Sequence, residues 1–164
     1  MALFRRRFEA PEPVRELLPS DERPLAWGST LGGAFVVASN LALYLPDAGG
    51  TTRVPYETVQ TASWDDPMLN VLLVGEDARH RLVRLEEAGE LPAVVRERVT
   101  STVLVTERVA LSGTAGALVV ARRPPESDDV LWQVVFDAGL DAGDPRLRAD
   151  AADAVARVRA STGL

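Results

Sequence analysis

From residue 25 onward, hydrophobic and polar residues alternate in short bursts that end at clusters of glycine, proline, asparagine or aspartate. A period of two marks strands with unlike faces, whereas helices repeat their apolar positions every three or four residues. The alternation predicts strands over 25–31, 34–39, 41–45, 51–54, 59–64, 68–74 and 78–85. Gly32-Gly33, Asn40, residues 46–50, Asp65-Asp66-Pro67 and Gly75-Glu76-Asp77 punctuate them. Three further strands are expected over 102–111, 117–122 and 130–136. Two stretches carry helical spacing instead. Leu91, Val95 and Val99 mark a helix over 92–99, where Pro92 falls in the first turn and its missing N–H costs nothing. Leu147, Ala151, Val155 and Val158 mark a closing helix, with Asp144 as N-cap, Pro145 at the first position and Gly163 as the stop.

Residues 9–24 hold Pro11, Pro13, Pro19 and Pro24, so an extended leader is expected, with at most one helical turn around 14–18. Seven strands, a helix, three strands and a helix give an α+β fold with mostly antiparallel pairing; parallel βαβ units would need a helix after almost every strand. The expected organisation is a leader over 1–24, a β-rich domain over 25–99 and a β-β-β-α extension or subdomain over 100–164.

Residues 25–99 resemble a bacterial pleckstrin-homology or GRAM-type domain. The resemblance is carried by residues 36–45 (VVASNLALYL), by Arg53-Val54-Pro55-Tyr56-Glu57-Thr58-Val59, and by the hairpin and short helix that follow. It implies a partly open barrel of strands capped by a helix and used as a binding scaffold. Members that bind inositol phospholipids carry Lys or Arg between the first two strands. Residues 28–34 contain no cation, which argues against that ligand.

Composition narrows the chemistry. The 164 residues include no cysteine, which removes disulfides, thiolate catalysis and zinc ribbons. All 18 cationic residues are Arg, and Ile is also absent, as codon usage in a GC-rich bacterial genome would produce. The net charge of −6 argues against nucleic-acid binding, which draws on clustered cations. Eight acids against two arginines over 126–153 make the C-terminal region the acidic one. No apolar run approaches the roughly 20 residues of a membrane helix. Glu9, Pro11, Glu12 and Pro13 stand where an export signal would be apolar, so a cytoplasmic location is expected. Arg5, Arg6 and Arg7, flanked by Phe4 and Phe8, are candidates for weak contact with an anionic membrane surface.

Catalytic candidates are sparse. His80 is the only histidine, so neither a triad nor a two-histidine metal centre can form. Asp65-Asp66 and Asp128-Asp129 sit in turn contexts. Asp137, Asp141 and Asp144 share a glycine-containing loop without EF-hand spacing. The glycine-rich stretches lack the Gly-Lys-Ser/Thr of a phosphate loop. Arg79, Arg81 and Arg84 give the densest basic spacing and are the candidates for gripping an anion or a partner. Trp27, Trp64 and Trp132 fall in predicted strands, where they anchor cores. The expectation is a non-enzymatic module without cofactor or metal that binds a protein partner. The alternatives are a small-ligand sensor or enzyme with a pocket between sheet and C-terminal helix, and a subunit that self-associates into a homo-oligomer.

Overall fold

A computed structural model describes residues 9–74 and 79–164. Three antiparallel sheets and three helices make up its α+β fold, and the strands do not close into a barrel. The first sheet holds β1 (Pro24–Ser29), β2 (Phe35–Ser39), β3 (Ala42–Asp47) and β4 (Gly50–Pro55) in sequential order. A 3-10 turn (Tyr56–Thr58) leads into the second sheet: β5 (Val59–Asp65), β6 (Met68–Leu73) and β7 (His80–Arg84). The tip of the β6–β7 hairpin, expected at Gly75-Glu76-Asp77, lies outside the described residues. Helix α2 (Leu91–Ser101) follows. The third sheet runs β10-β9-β8, from β8 (Val103–Ala110), β9 (Gly116–Arg122) and β10 (Leu131–Phe136), and α3 (Pro145–Thr162) closes the described chain.

Alternation explains which faces are covered. In the first sheet Val36, Ala38, Leu43 and Leu45 turn toward α2 and the second sheet, joining Leu69, Val71, Leu91, Val95 and Val99 in one core. Val37, Ala42 and Tyr44 turn the other way, to a smaller core completed by Ala10 and Val14. Residues Glu12–Glu16 form a short helix, α1, and Val14 is fully buried. Apolar residues on both faces of β2 and β3 required two covers, and the leader provides the second.

The third core lies between the third sheet and α3, with Val109, Ala117 and Val119 against Ala154 and Val158. Asp144 accepts the Arg146 N–H at 2.8 Å as N-cap, and Gly163 at φ +70° ends the helix. Each tryptophan packs against a different core: Trp27 beneath the leader, Trp64 beside α2 and Trp132 beside α3.

Candidate functional site

Sheet edges and buried polar groups show where this fold leaves chemistry unspent. Strand β1 is an edge strand. Its one lateral partner beyond β2 is a short bridge to the segment before α2, where Ser29 donates to the Glu87 carbonyl at 2.9 Å and accepts from Glu86 N–H at 2.8 Å. By the alternation of an antiparallel strand, Trp27 directs its N–H and C=O groups to the same open side as Ser29, whereas the register shift between Pro24 and Ala26 interrupts the alternation at Leu25. The Trp27 backbone makes no hydrogen bond on that side among the described residues. A groove of about 790 Å³ follows this edge, lined by Leu25, Trp27, Gly28, Phe35, Glu87 and Glu90. Leader residue Pro11 forms part of its wall.

The segment carrying Glu87 and Glu90 lies this close because Gly28 has no side chain. A β-carbon at Gly28 would stand 2.7 Å from the Glu87 carbonyl oxygen. Gly89, at φ +51°, then turns the chain into α2. Among the described residues Glu87 and Glu90 are exposed and enter no ion pair.

A polar cluster gathers at the corner between β2 and β3. The Glu22 carboxylate is buried, accepts a short hydrogen bond from the Ser39 hydroxyl, and pairs with Arg53 at 2.7 Å. Burial opposes its ionisation, but the Ser39 and Arg53 hydrogen bonds and the guanidinium charge outweigh this and hold Glu22 below the usual carboxylate range. The buried Tyr44 hydroxyl lies beside the pair without a hydrogen bond of ordinary geometry, and burial followed by the Glu22 charge pushes it up. Asn40 accepts from Arg23 N–H at 2.8 Å and donates to Glu126 at 3.1 Å, while Tyr56 donates to the Ser39 carbonyl at 2.7 Å. The corner therefore ties the leader, the first sheet and the loop before β10 together.

A buried cation joins the two larger cores. Arg122, 4% exposed, donates to Gln133 at 3.1 Å, to Thr102 Oγ1 at 2.8 Å, and to the Val99 and Gln60 carbonyls at 3.3 Å each. Burial draws its pKa below the ordinary arginine value, with the Glu57 charge acting in the opposite sense. Gln133 in turn donates to the Glu57 carbonyl at 2.7 Å.

No family model, curated protein or solved structure matches this chain.

Arg79, Arg81 and Arg84, in and just before β7, have separate surroundings. Arg81 donates to the Pro46 carbonyl at 3.0 Å and pairs with Asp47 at 3.5 Å, so it fastens β7 to the β3–β4 turn. Arg84 lies on the opposite face with Leu82 and His80, and His80 bonds Asn70 at 3.0 Å. Arg79 is exposed near the end of the described hairpin. Arg5, Arg6 and Arg7 lie outside the described residues. In the aspartate loop, Asp137 pairs with Arg108 at 2.7 Å, Asp141 accepts from Gly143 N–H at 2.8 Å, and Asp144 caps α3. Between β10 and α3 an apolar depression of about 350 Å³ is lined by Val134, Phe136, Ala151 and Val155, with Arg148 beside them. Among the described residues no helix is long and apolar enough to cross a membrane.

Sequence reasoning missed Glu22, Arg122 and the β1 edge. The first two had one usable signal: Arg122 ends an otherwise apolar strand, and Glu22 stands just before the first strand. The openness of β1 had none, because strand order is invisible in an alternating pattern.

Proposed function

We propose that this protein is a non-catalytic, cytoplasmic binding module of pleckstrin-homology-like organisation that takes an extended segment of a partner protein along the open edge of β1. The observation that carries this reading is the groove along β1, where the outward backbone of Trp27 lacks a hydrogen-bond partner among the described residues, with Trp27, Phe35 and Pro11 as an apolar wall and Glu87 and Glu90 across from it. Strand addition uses such an edge: backbone hydrogen bonds supply affinity and alternate side chains supply specificity. The chain already begins the pairing itself, through the Ser29–Glu87 bridge, and leaves the Trp27 backbone without a hydrogen bond on that side among the described residues. The family-level part of the reading is supported by the order of elements over β1 to α2: four antiparallel strands, then three, then a helix against both sheets.

The experiment is a display selection of random heptapeptides on the immobilised full chain, followed by amide chemical-shift mapping of the selected sequences. Peptides that shift the Trp27 amide and slow its exchange support the reading. Selected peptides that all map elsewhere, or a selection that enriches nothing, overturn it.

A further inference from the structure

Strand β7 forms one edge of the second sheet, and its free side carries an open run of backbone. The ladder to β6 runs from His80 to Arg84 without a register shift. Just beyond its two ends, Leu73 N–H donates to the Arg79 carbonyl at 3.1 Å and Leu85 N–H donates to the Pro67 carbonyl at 2.9 Å. Arg79 and Leu85 thus turn their backbones toward β6, and by alternation so do Arg81 and Val83. His80, Leu82 and Arg84 turn their N–H and C=O groups the other way, where none makes a hydrogen bond among the described residues. Their side chains share the exposed face of the strand, with Leu82 56% exposed. On the opposite face Val83 packs against the main core and Arg81 is held by Pro46 and Asp47. Arg79 and Arg84, at the two ends of the run, are exposed and enter no ion pair among the described residues. Along the pairing direction Arg84 is followed by Met68, and only then by Asp65.

We infer that β7 is a further docking edge, separate from the β1 groove, and that its occupant is an extended protein segment with an apolar centre and acidic ends. Backbone hydrogen bonds to His80, Leu82 and Arg84 set the register of the added strand. Its central side chains cover Leu82 on one face and Val83 on the other, and its acidic ends meet Arg79 and Arg84. A basic segment would set like charges against both arginines. A second copy of this chain fits less well for the same reason: its own β7 brings the same arginines to the seam, and exposed cations on an edge strand oppose such pairing.

The test titrates the full chain with three capped octapeptides while amide shifts and exchange are followed. Each has a Val-Thr-Val-Thr centre, flanked on both sides by two glutamates, two glutamines or two arginines. The expected result is slowed exchange at the His80, Leu82 and Arg84 amides. The glutamate-flanked peptide should bind about tenfold tighter than the glutamine-flanked one, and the arginine-flanked peptide most weakly. The preference should shrink at high salt and vanish in the Arg79→Gln/Arg84→Gln double variant, which alters only exposed side chains. Equal binding of all three peptides, with the same amides protected, overturns the acidic specificity. Failure of every peptide to protect those amides overturns the proposal altogether. The Trp27 amide reports separately on the β1 reading, so protection there alone would favour that reading and sink this one. Sedimentation of the protein alone covers the rival occupant: a dimer in which the three β7 amides are already protected overturns the proposal in favour of self-association.

Discussion

The Glu87 carbonyl oxygen occupies the space beside Gly28 so closely that a β-carbon there would lie 2.7 Å from it, and 3.2 Å from a methyl of Leu91. Two backbones pass at this point with nothing between them. The position of Glu87 on the groove, and the start of α2 behind it, both depend on that approach. Gly28→Ala should therefore push the 86–90 segment off β1, costing about 1–3 kcal/mol as overpacking does. Urea unfolding gives the cost, and faster exchange of the Ser29 amide would locate it. An unchanged midpoint with an unchanged Ser29 amide would show that the contact has slack.

Arg122 holds the C-terminal carbonyl of one helix and the backbone of a strand from another sheet. Its bonds to Val99 and Gln60 bridge α2 and β5, and its Gln133 bond stays within the third sheet. A cation at a helix C-terminus is favourable in itself. Removing it takes a donor from Gln133, Thr102 Oγ1 and the Gln60 carbonyl and empties a buried site, so Arg122→Ala should cost about 3 kcal/mol. Arg122→Lys should recover little of this, because an ammonium lacks the planar fork that serves several acceptors. Chemical denaturation of the three proteins checks both statements.

Glu22 makes stability depend on acid. Its folded-state carboxyl titrates below its ordinary value, so its contribution is complete above the ordinary carboxylate range. The contribution drains away as pH falls through the lowered folded-state value. Unfolding free energies between pH 7 and pH 3 should thus fall less steeply for Glu22→Gln than for the unaltered chain, from a lower starting value. Arg53→Ala removes a hydrogen bond and a charge that lower the Glu22 pKa, so it should narrow the gap to the ordinary value and make the acid-dependent loss smaller. Identical pH slopes in all three proteins would refute the assignment.

Asp144 caps α3 through the Arg146 N–H at 2.8 Å. Asp144→Ala should cost about 1 kcal/mol, as the loss of an N-cap acceptor does, while Asp144→Asn should cost much less. Thermal melts followed by far-ultraviolet circular dichroism would separate the two.

Local physics was legible where each residue's role depended on near neighbours in the chain. Asp144, Pro145 and Gly163 bracket α3 where the sequence places its start and stop, because capping is settled within one turn. The Leu91, Val95 and Val99 stripe is buried as its spacing predicts. Strand positions were legible for the same reason, with ends that moved where a turn competed. β1 stops at Ser29 because Thr30 bonds Ala34 and closes the turn at Gly33.

Relations between distant segments were not legible. Nothing near Arg81 in sequence announces Asp47, and nothing near Glu22 announces Arg53. The leader shows the same gap: four prolines predict an extended chain, yet Val14 is buried because β2 and β3 carry apolar residues on both faces and the second face needed a cover.

The amino-acid order alone determined which residues become strand and helix, which positions turn inward, and how α3 begins and ends. These are short-range consequences of side-chain period, backbone freedom and capping. Only the tertiary structure decided which strand keeps an open edge, which acids stay unpaired beside it, and which cations are buried as ties between sheets. Those outcomes depend on segments tens of residues apart meeting in space, and a period of two is the same for a strand at the edge of a sheet as for one at its centre.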